Sequence, residues 1–328
     1  MPAALRPYGL TILGLWLTLG TAGIVYTHHK SIPVAIALPV LAAFLCEAAL
    51  YVAPGFETIR RLARERLAPR ALAIWLTLSA ATPYLMYSLP SGVFRWEHLG
   101  LLLSLAMLAA FWFVWLPRKG WADAAFLVVM AVPVLTRVFP VLYEEAHPKT
   151  ETAVLGQLMW IRLGVFSALC IRGVGGVGFG FLPAARDWSV GARYFLYVLA
   201  IVFPLGGLLG FGRFQLPEGE WWEFLGVAAA TFAGMLWVVA LSEEFIFRGL
   251  LQQWLAAWLG SAAAGLLSAS LVFGAVHLPF RAFPNYRFAL VAAVAGVFYG
   301  LAFRRAGSIR GAMVAHALTN TAWRMLFH

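Results

Sequence analysis

Long apolar runs, broken by short clusters of charge, proline and glycine, organise this chain from end to end. A bilayer core about 30 Å thick takes about 20 apolar residues per helix. Runs near that length fall at 8–26, 32–53, 71–89, 99–117, 124–143, 153–171, 194–212, 222–242, 244–280, 288–303 and 309–327, with 244–280 reading as a helical hairpin that turns near Gly260. The expected fold is therefore all-α, a polytopic transmembrane helical bundle of about 8–11 spanning helices. The first run, Tyr8 to Tyr26, follows Arg6 as the core of a signal peptide would. It is too long for such a core and lacks a small-x-small cleavage site, so it reads as a retained helix.

Composition agrees with the pattern. With 62% hydrophobic and 12% charged residues and a mean hydropathy of +0.83, the chain has too little polar surface to coat a soluble domain of its size. The net charge of +10 would suit a nucleic-acid binder, but the basic residues sit in short loops between apolar runs: Arg60, Arg61, Arg64, Arg66 and Arg70, then Arg118 and Lys119, then Arg304, Arg305 and Arg310. That is the positive-inside pattern of a membrane protein, and no nucleic-acid partner is expected. With the N-terminus inside, these clusters fall on cytoplasmic loops, and Glu144, Glu145, Glu151, Glu218, Glu220 and Glu223 fall outside. Cys46 and Cys170 lie within apolar runs and read as small core residues. The stretch from Arg172 to Arg193, with five glycines between Gly173 and Gly180, separates an N-terminal half from a C-terminal half. The expected division is 1–189, transmembrane helices of unassigned role, and 190–328, which holds the candidate chemistry.

A charge at mid-bilayer costs at least about 2.5 to 3.5 kcal/mol, so each one calls for an explanation. The C-terminal half concentrates them: Glu243, Glu244 and Arg248, then His277, then His316 with Asn320. Glu244 and Arg248 are i and i+4 with the acid first, the favourable order for an ion pair on one helix face. Glu243 is rotated about 100° away and does not share that partner equally. One carboxylate is thus clamped and the other is available as a general base. Glu243 and His277 lie 17 positions before and after Gly260, so an antiparallel hairpin brings them level with room for a water between. His316 and Asn320 are also i and i+4, placed to donate to a single oxygen as an oxyanion hole does. Each motif alone has a plain structural reading: a solvated turn or ion pair for Glu-Glu-x-x-x-Arg, an interfacial histidine beside Pro279, polar glue between helices for His316 and Asn320. Glu47, Arg137 and Arg162 lack such company and read as structural pairs or cavity-facing groups; Ala292, Gly296 and Gly300 read as a stripe of close helix packing.

Taken in order, Glu243-Glu244-x-x-x-Arg248, Phe273-x-x-x-His277 and His316-x-x-x-Asn320 resemble the signature of the CAAX protease and bacteriocin-processing family, also called Abi, which includes the type II CAAX prenyl endopeptidases. The resemblance covers roughly 190–328 and implies a glutamic-type intramembrane endopeptidase. Glu243 and His277 would activate water, His316 and Asn320 would hold the oxyanion, and Glu244, Arg248 and Phe273 would support the site. Two histidines and a carboxylate are also a possible zinc set. The resemblance and the lack of a recognisable zinc-ligand spacing make a site without metal or other cofactor the expectation. The expected partners are the lipid bilayer and a membrane-associated protein or peptide substrate, prenylated or C-terminally sorted; the expected place is a cell membrane, of prokaryotic cytoplasmic type. The rival readings are a catalytically silent immunity or scaffold protein and a transporter. A transporter would show a matching charged set in residues 1–170, and none is seen.

Overall fold

The computed structural model describes residues 3–215, 220–281 and 283–327. Glu218, expected on the outer side, lies outside the described residues. Among those residues every regular element is helical, and the one extended pairing is an isolated bridge between Phe214 and Phe327. Seven helices are long and apolar enough to cross a membrane, and two shorter ones, Gly120–Leu135 and Ala262–Ala275, are apolar as well. The all-α polytopic bundle expected from the pattern is the fold observed. The chain divides into two compact units, Met1–Val174 and Gly175–His328.

The first unit contains α1 (Arg6–Lys30), α2 (Val34–Val52), α3 (Glu57–Arg66), α4 (Pro69–Ser88), α5 (Trp96–Trp115), α6 (Gly120–Leu135), α7 (Val138–Leu142) and α8 (Ala153–Arg172). Pro69 opens α4, where its missing N–H costs nothing. The single run expected at 124–143 is two helices, because the chain turns at Arg137 with φ of 53° between α6 and α7. No described side chain of α1 is buried, and Leu17 and Trp75 are each 64% exposed, which suits a surface coated by lipid.

At the centre of this unit α8 carries Arg162, which is 1% exposed and faces Glu47 of α2 at 0%. Arg162 Nε lies 2.7 Å from Glu47 Oε1 and Nη2 lies 3.3 Å from Oε2. The remaining donors reach the Ser79 hydroxyl at 2.8 Å and its carbonyl at 3.0 Å. Two of the three isolated charges in the N-terminal half are therefore a structural pair, whereas Arg137 is exposed.

The second unit contains α9 (Ala185–Leu208), α10 (Trp221–Trp258), α11 (Ala262–Ala275), α12 (Tyr286–Ala306) and α13 (Ile309–Leu326). The turn expected near Gly260 is there, with φ of 64°, but 222–242 and 244–258 are one uninterrupted helix of 38 residues. Within α10 the backbone widens into π-helical turns at Met235–Ala240 and again at Phe245–Gln252, leaving one ordinary turn, Leu241–Glu244, between them. Such widening rephases the side chains that follow and is common at functional sites. Ser308 caps α13 by accepting from Arg310 N at 3.1 Å, after Gly307 ends α12 at φ of 71°. From Ile309 to Ala317 α13 is buried almost throughout, packed on α9, α12 and the first widened stretch of α10. A helix enclosed by other helices tolerates His316, Thr319 and Asn320, which lipid would not.

Loss of either partner of the Glu47–Arg162 pair strands a buried charge, for which about 3–5 kcal/mol is typical. Glu47→Leu or Arg162→Met alone is expected to lower the unfolding midpoint in detergent sharply, and the double variant to recover most of it. Equal midpoints for single and double variants would refute the structural role.

Candidate active site

The ordinary turn of α10 places Glu243 and Glu244 side by side but in different surroundings. Glu244 is fully buried. Arg248, one turn on, brings Nε to 3.2 Å from Glu244 Oε2 and donates through Nη1 to Oε1 at 3.2 Å. Arg248 is itself fixed from two sides. Its Nη2 donates to the Gly296 carbonyl at 2.9 Å, and its guanidinium lies over the rings of Phe273 at 4.5 Å and Tyr299 at 5.4 Å. The stripe Ala292, Gly296, Gly300 on α12 thus has a specific duty. A Cβ at Gly296 would come within 3.3 Å of Arg248 Nη2, and one at Gly300 within 2.5 Å of Gln252 Oε1.

Glu244 has a second partner that spacing along one helix could not reveal. Its Oε1 lies 2.7 Å from His316 Nδ1 of α13. A carboxylate accepts, so His316 Nδ1 carries the proton of that bond. The other ring nitrogen, Nε2, faces Glu243 Oε2 at 3.8 Å. The imidazole is 3% exposed and held flat against Tyr299, ring centroids 4.5 Å apart and planes within 13°, with the edge of Phe273 at 5.8 Å.

Glu243 differs from its neighbour in being reachable. Its side chain is 32% exposed, and its Oε2 has no hydrogen-bond partner. It opens on a cavity of about 450 Å³ whose wall also includes His277, His316, Asn320, Tyr299 and Phe273. His277 stands just beyond the end of α11. Its Nδ1 lies 2.6 Å from the Phe273 carbonyl, and its ring packs against Phe273 at 4.8 Å and Phe288 at 4.6 Å. A carbonyl also only accepts, so Nδ1 is the protonated nitrogen, and in the neutral ring Nε2 holds the lone pair. Asn320, one turn beyond His316, lies on the same wall, with Nδ2 4.0 Å from Met235 Sδ.

All four residues expected to do chemistry therefore line one cavity, and of the three expected to support them Glu244 lies between Arg248 and His316 while Phe273 packs against both of those. The direct bond from Glu244 to His316 was not expected, and no hydrogen bond joins Glu243 to His277. Among the described residues no group of three or more His, Cys, Asp or Glu side chains is placed to hold a metal ion.

Residues 224–322 match the family model described as Type II CAAX prenyl endopeptidase Rce1-like. The Rce1-like segment lies wholly within the second unit and spans every motif residue named above. The matched model describes a protease family of the kind the motifs resemble, and it covers under half of the chain. With seven helices long and apolar enough to span, the chain is a multi-pass membrane protein whose residues 224–322 are similar to the Rce1-like family. No curated protein and no solved structure matches the chain.

Tyr299 belongs to none of the three motifs and yet stacks on His316. Its signal was an aromatic residue beside Gly300, within the small-residue stripe where close packing otherwise prevails. Stacked aromatic pairs contribute about 0.5–1.5 kcal/mol beyond area burial. Tyr299→Leu is expected to lower any activity that depends on His316 by about tenfold, while Tyr299→Phe, which keeps the stack, stays within about threefold. Matched rates for Leu and Phe variants of equal thermal stability would show that the stack does not matter.

Proposed function

We propose that the chain is a glutamic-type intramembrane endopeptidase acting on a membrane-associated protein or peptide. The observation that carries this reading is the difference between adjacent carboxylates: Glu244 is fully buried between Arg248 and His316, and Glu243, its side chain 32% exposed, lines the cavity. A carboxylate in that position accepts a proton from a water held between it and His277 Nε2. The water oxygen then attacks the scissile carbonyl carbon, giving a tetrahedral oxyanion. When the C–N bond breaks, the proton passes to the departing amine and the new carboxyl terminus is released.

His316 and Asn320, i and i+4 on α13, are the donors for the oxyanion in this reading. Because Nδ1 is already committed to Glu244, His316 donates to the oxyanion through Nε2 and does so with both ring nitrogens protonated. Glu244 and Arg248 then act through His316, holding its ring and supplying compensating charge in a low-dielectric interior. The apolar character of the cavity wall, with Val202, Phe211, Met235, Phe288 and Trp323, supports a hydrophobic segment as the peptide admitted.

Glu243→Gln keeps the shape and removes the base, and is expected to lower peptide-bond hydrolysis by at least about a thousandfold with the fold intact, in line with what general-base groups contribute. The measurement is proteomics of native membranes containing wild type or Glu243→Gln protein, looking for cleavage products that vanish. An unchanged set of products, with full biological activity, would favour a silent scaffold.

A further inference from the structure

Contacts within each unit fix which helix ends lie together, and charge then distinguishes the cytoplasmic end. In the first unit the end of α1, the start of α5 and residues 144–149 meet: Lys149 Nζ donates to the Lys30 carbonyl at 3.0 Å, and Arg95 Nε lies 2.8 Å from Glu144 Oε2. At the opposite end α3, the turn after α5 and the close of α8 meet. Arg118 donates to the Ile171 carbonyl at 3.0 Å, Arg172 pairs with Asp123 at 2.8 Å, and the Cys170 thiol lies 3.9 Å from the Arg60 carbonyl. This second end carries Arg60, Arg61, Arg64, Arg66, Arg118 and Lys119 with Glu57 and Glu65, whereas the first balances Lys30, Arg95, Arg137 and Lys149 against Glu97, Glu144, Glu145 and Glu151. An excess of basic residues in short connections marks the cytoplasmic side, so the second end is cytoplasmic.

From Gly173 to Ala184 the chain holds no helix, so α9 begins on the side where α8 ends. Arg186 donates to the Arg305 carbonyl at 2.9 Å, and Arg310 Nε lies 3.2 Å from Asp187 Oδ2. The end of α12 and the start of α13 therefore share the cytoplasmic end of α9. Beyond the other end of α9 the Gln215 N–H donates to the Leu326 carbonyl at 2.9 Å, beside the last turn of α13. Arg213, Arg281, Arg287 and Arg324 lie at this far end with Glu220 and Glu223, so the second unit alone shows little bias and the first unit decides the orientation. The cavity belongs to the far end. Its wall takes no residue of α13 before His316 and none of α12 after Tyr299, whereas Phe211, Arg281 and Arg324 all line it. Arg281 and Arg324 are exposed, so the cavity opens there, and the buried stretch Gly311–Ala315 closes it toward the Gly307 turn.

We infer that the cavity is reached from the non-cytoplasmic side, and that the chain cut there has already been carried across the membrane, as an exported peptide or the outer segment of a membrane protein. The inference rests on the reading of the cavity as a peptidase site, and it places a translocation step before the cut. Along α13, His316 lies about 15 Å from the last turn. With a cavity of about 450 Å³, an unfolded stretch of chain reaches the reacting groups and a folded domain does not. A tail that stays in the cytoplasm meets only the closed, basic end.

The test reads orientation by thiol labelling. The full-length chain with Cys46→Ala and Cys170→Ala is expressed in the cytoplasmic membrane of a bacterial host and given one new cysteine at a time. Arg324→Cys and Phe214→Cys mark the opening, and Arg305→Cys and Leu259→Cys mark the other end; all four positions are exposed, and two at each end guard against a variant that misfolds. A membrane-impermeant sulfonated maleimide is expected to label the first pair in spheroplasts and to lose them in inverted vesicles, with the reverse for the second pair. For the cavity itself, Asn320→Cys is expected to react with a small charged methanethiosulfonate added to spheroplasts and to be protected in inverted vesicles. The opposite pattern, or equal labelling from both sides, overturns the inference. Cleavage gives a separate arm: products lost from Glu243→Gln membranes are expected to be cut within translocated segments, and cuts confined to cytoplasmic segments overturn the inference as well. Labelling as expected with no product lost sinks the proposed hydrolysis alone, because labelling needs no cleavage.

Discussion

A carboxylate buried in a bilayer protein persists as an ion only if fixed positive charge and hydrogen-bond donors replace the water it has lost. Glu244 obtains both from Arg248 on its own helix and His316 on another. The rest of the site follows from that requirement. Arg248 must be held in turn, by the Gly296 carbonyl and two aromatic faces, and those contacts demand that α12 approach closely enough to exclude a Cβ at Gly296. The glycine stripe, the aromatic pair Phe273 and Tyr299, and the imidazole plane of His316 are consequences of one neutralised charge.

That arrangement leaves Glu243 different from its neighbour although they are adjacent in sequence. The short ordinary turn Leu241–Glu244, set between two widened stretches of α10, aims one side chain into the protein and the other at the cavity. Two identical groups are thereby separated into a structural ion and a reachable base, a division made by environment alone.

The first unit offers a comparison within the same chain. Glu47 and Arg162 are as deeply buried as Glu244 and Arg248, but their pairing is two-pronged and Ser79 takes the remaining guanidinium donors. Nothing in that cluster is left over. A closed ion pair holds helices together, whereas the α10 cluster adjoins a carboxylate, Glu243, that lines a cavity, which is what distinguishes a candidate active site from structural glue.

The apolar runs themselves were legible in the sequence, because a bilayer imposes a fixed length and hydropathy on each span, residue by residue; their number was not, since seven helices rather than about 8–11 are long and apolar enough to cross, and the basic cluster read as a loop is largely the short helix α3. The i, i+4 relations of Glu244 with Arg248 and of His316 with Asn320 were legible for the same reason: a helix repeats every 3.6 residues wherever it occurs. Helix boundaries were less so, since no break in hydropathy at Ser242 or Phe245 marks α10 as one helix with widened turns, and the turn at Arg137 lies within an apolar run. What only the tertiary structure decided were the meetings between helices: Glu244 with His316, Tyr299 against the same ring, and Arg281 and Arg324 on one cavity wall. Those depend on how helices rotate and cross when side chains interlock, and no local rule of periodicity or hydropathy carries that information.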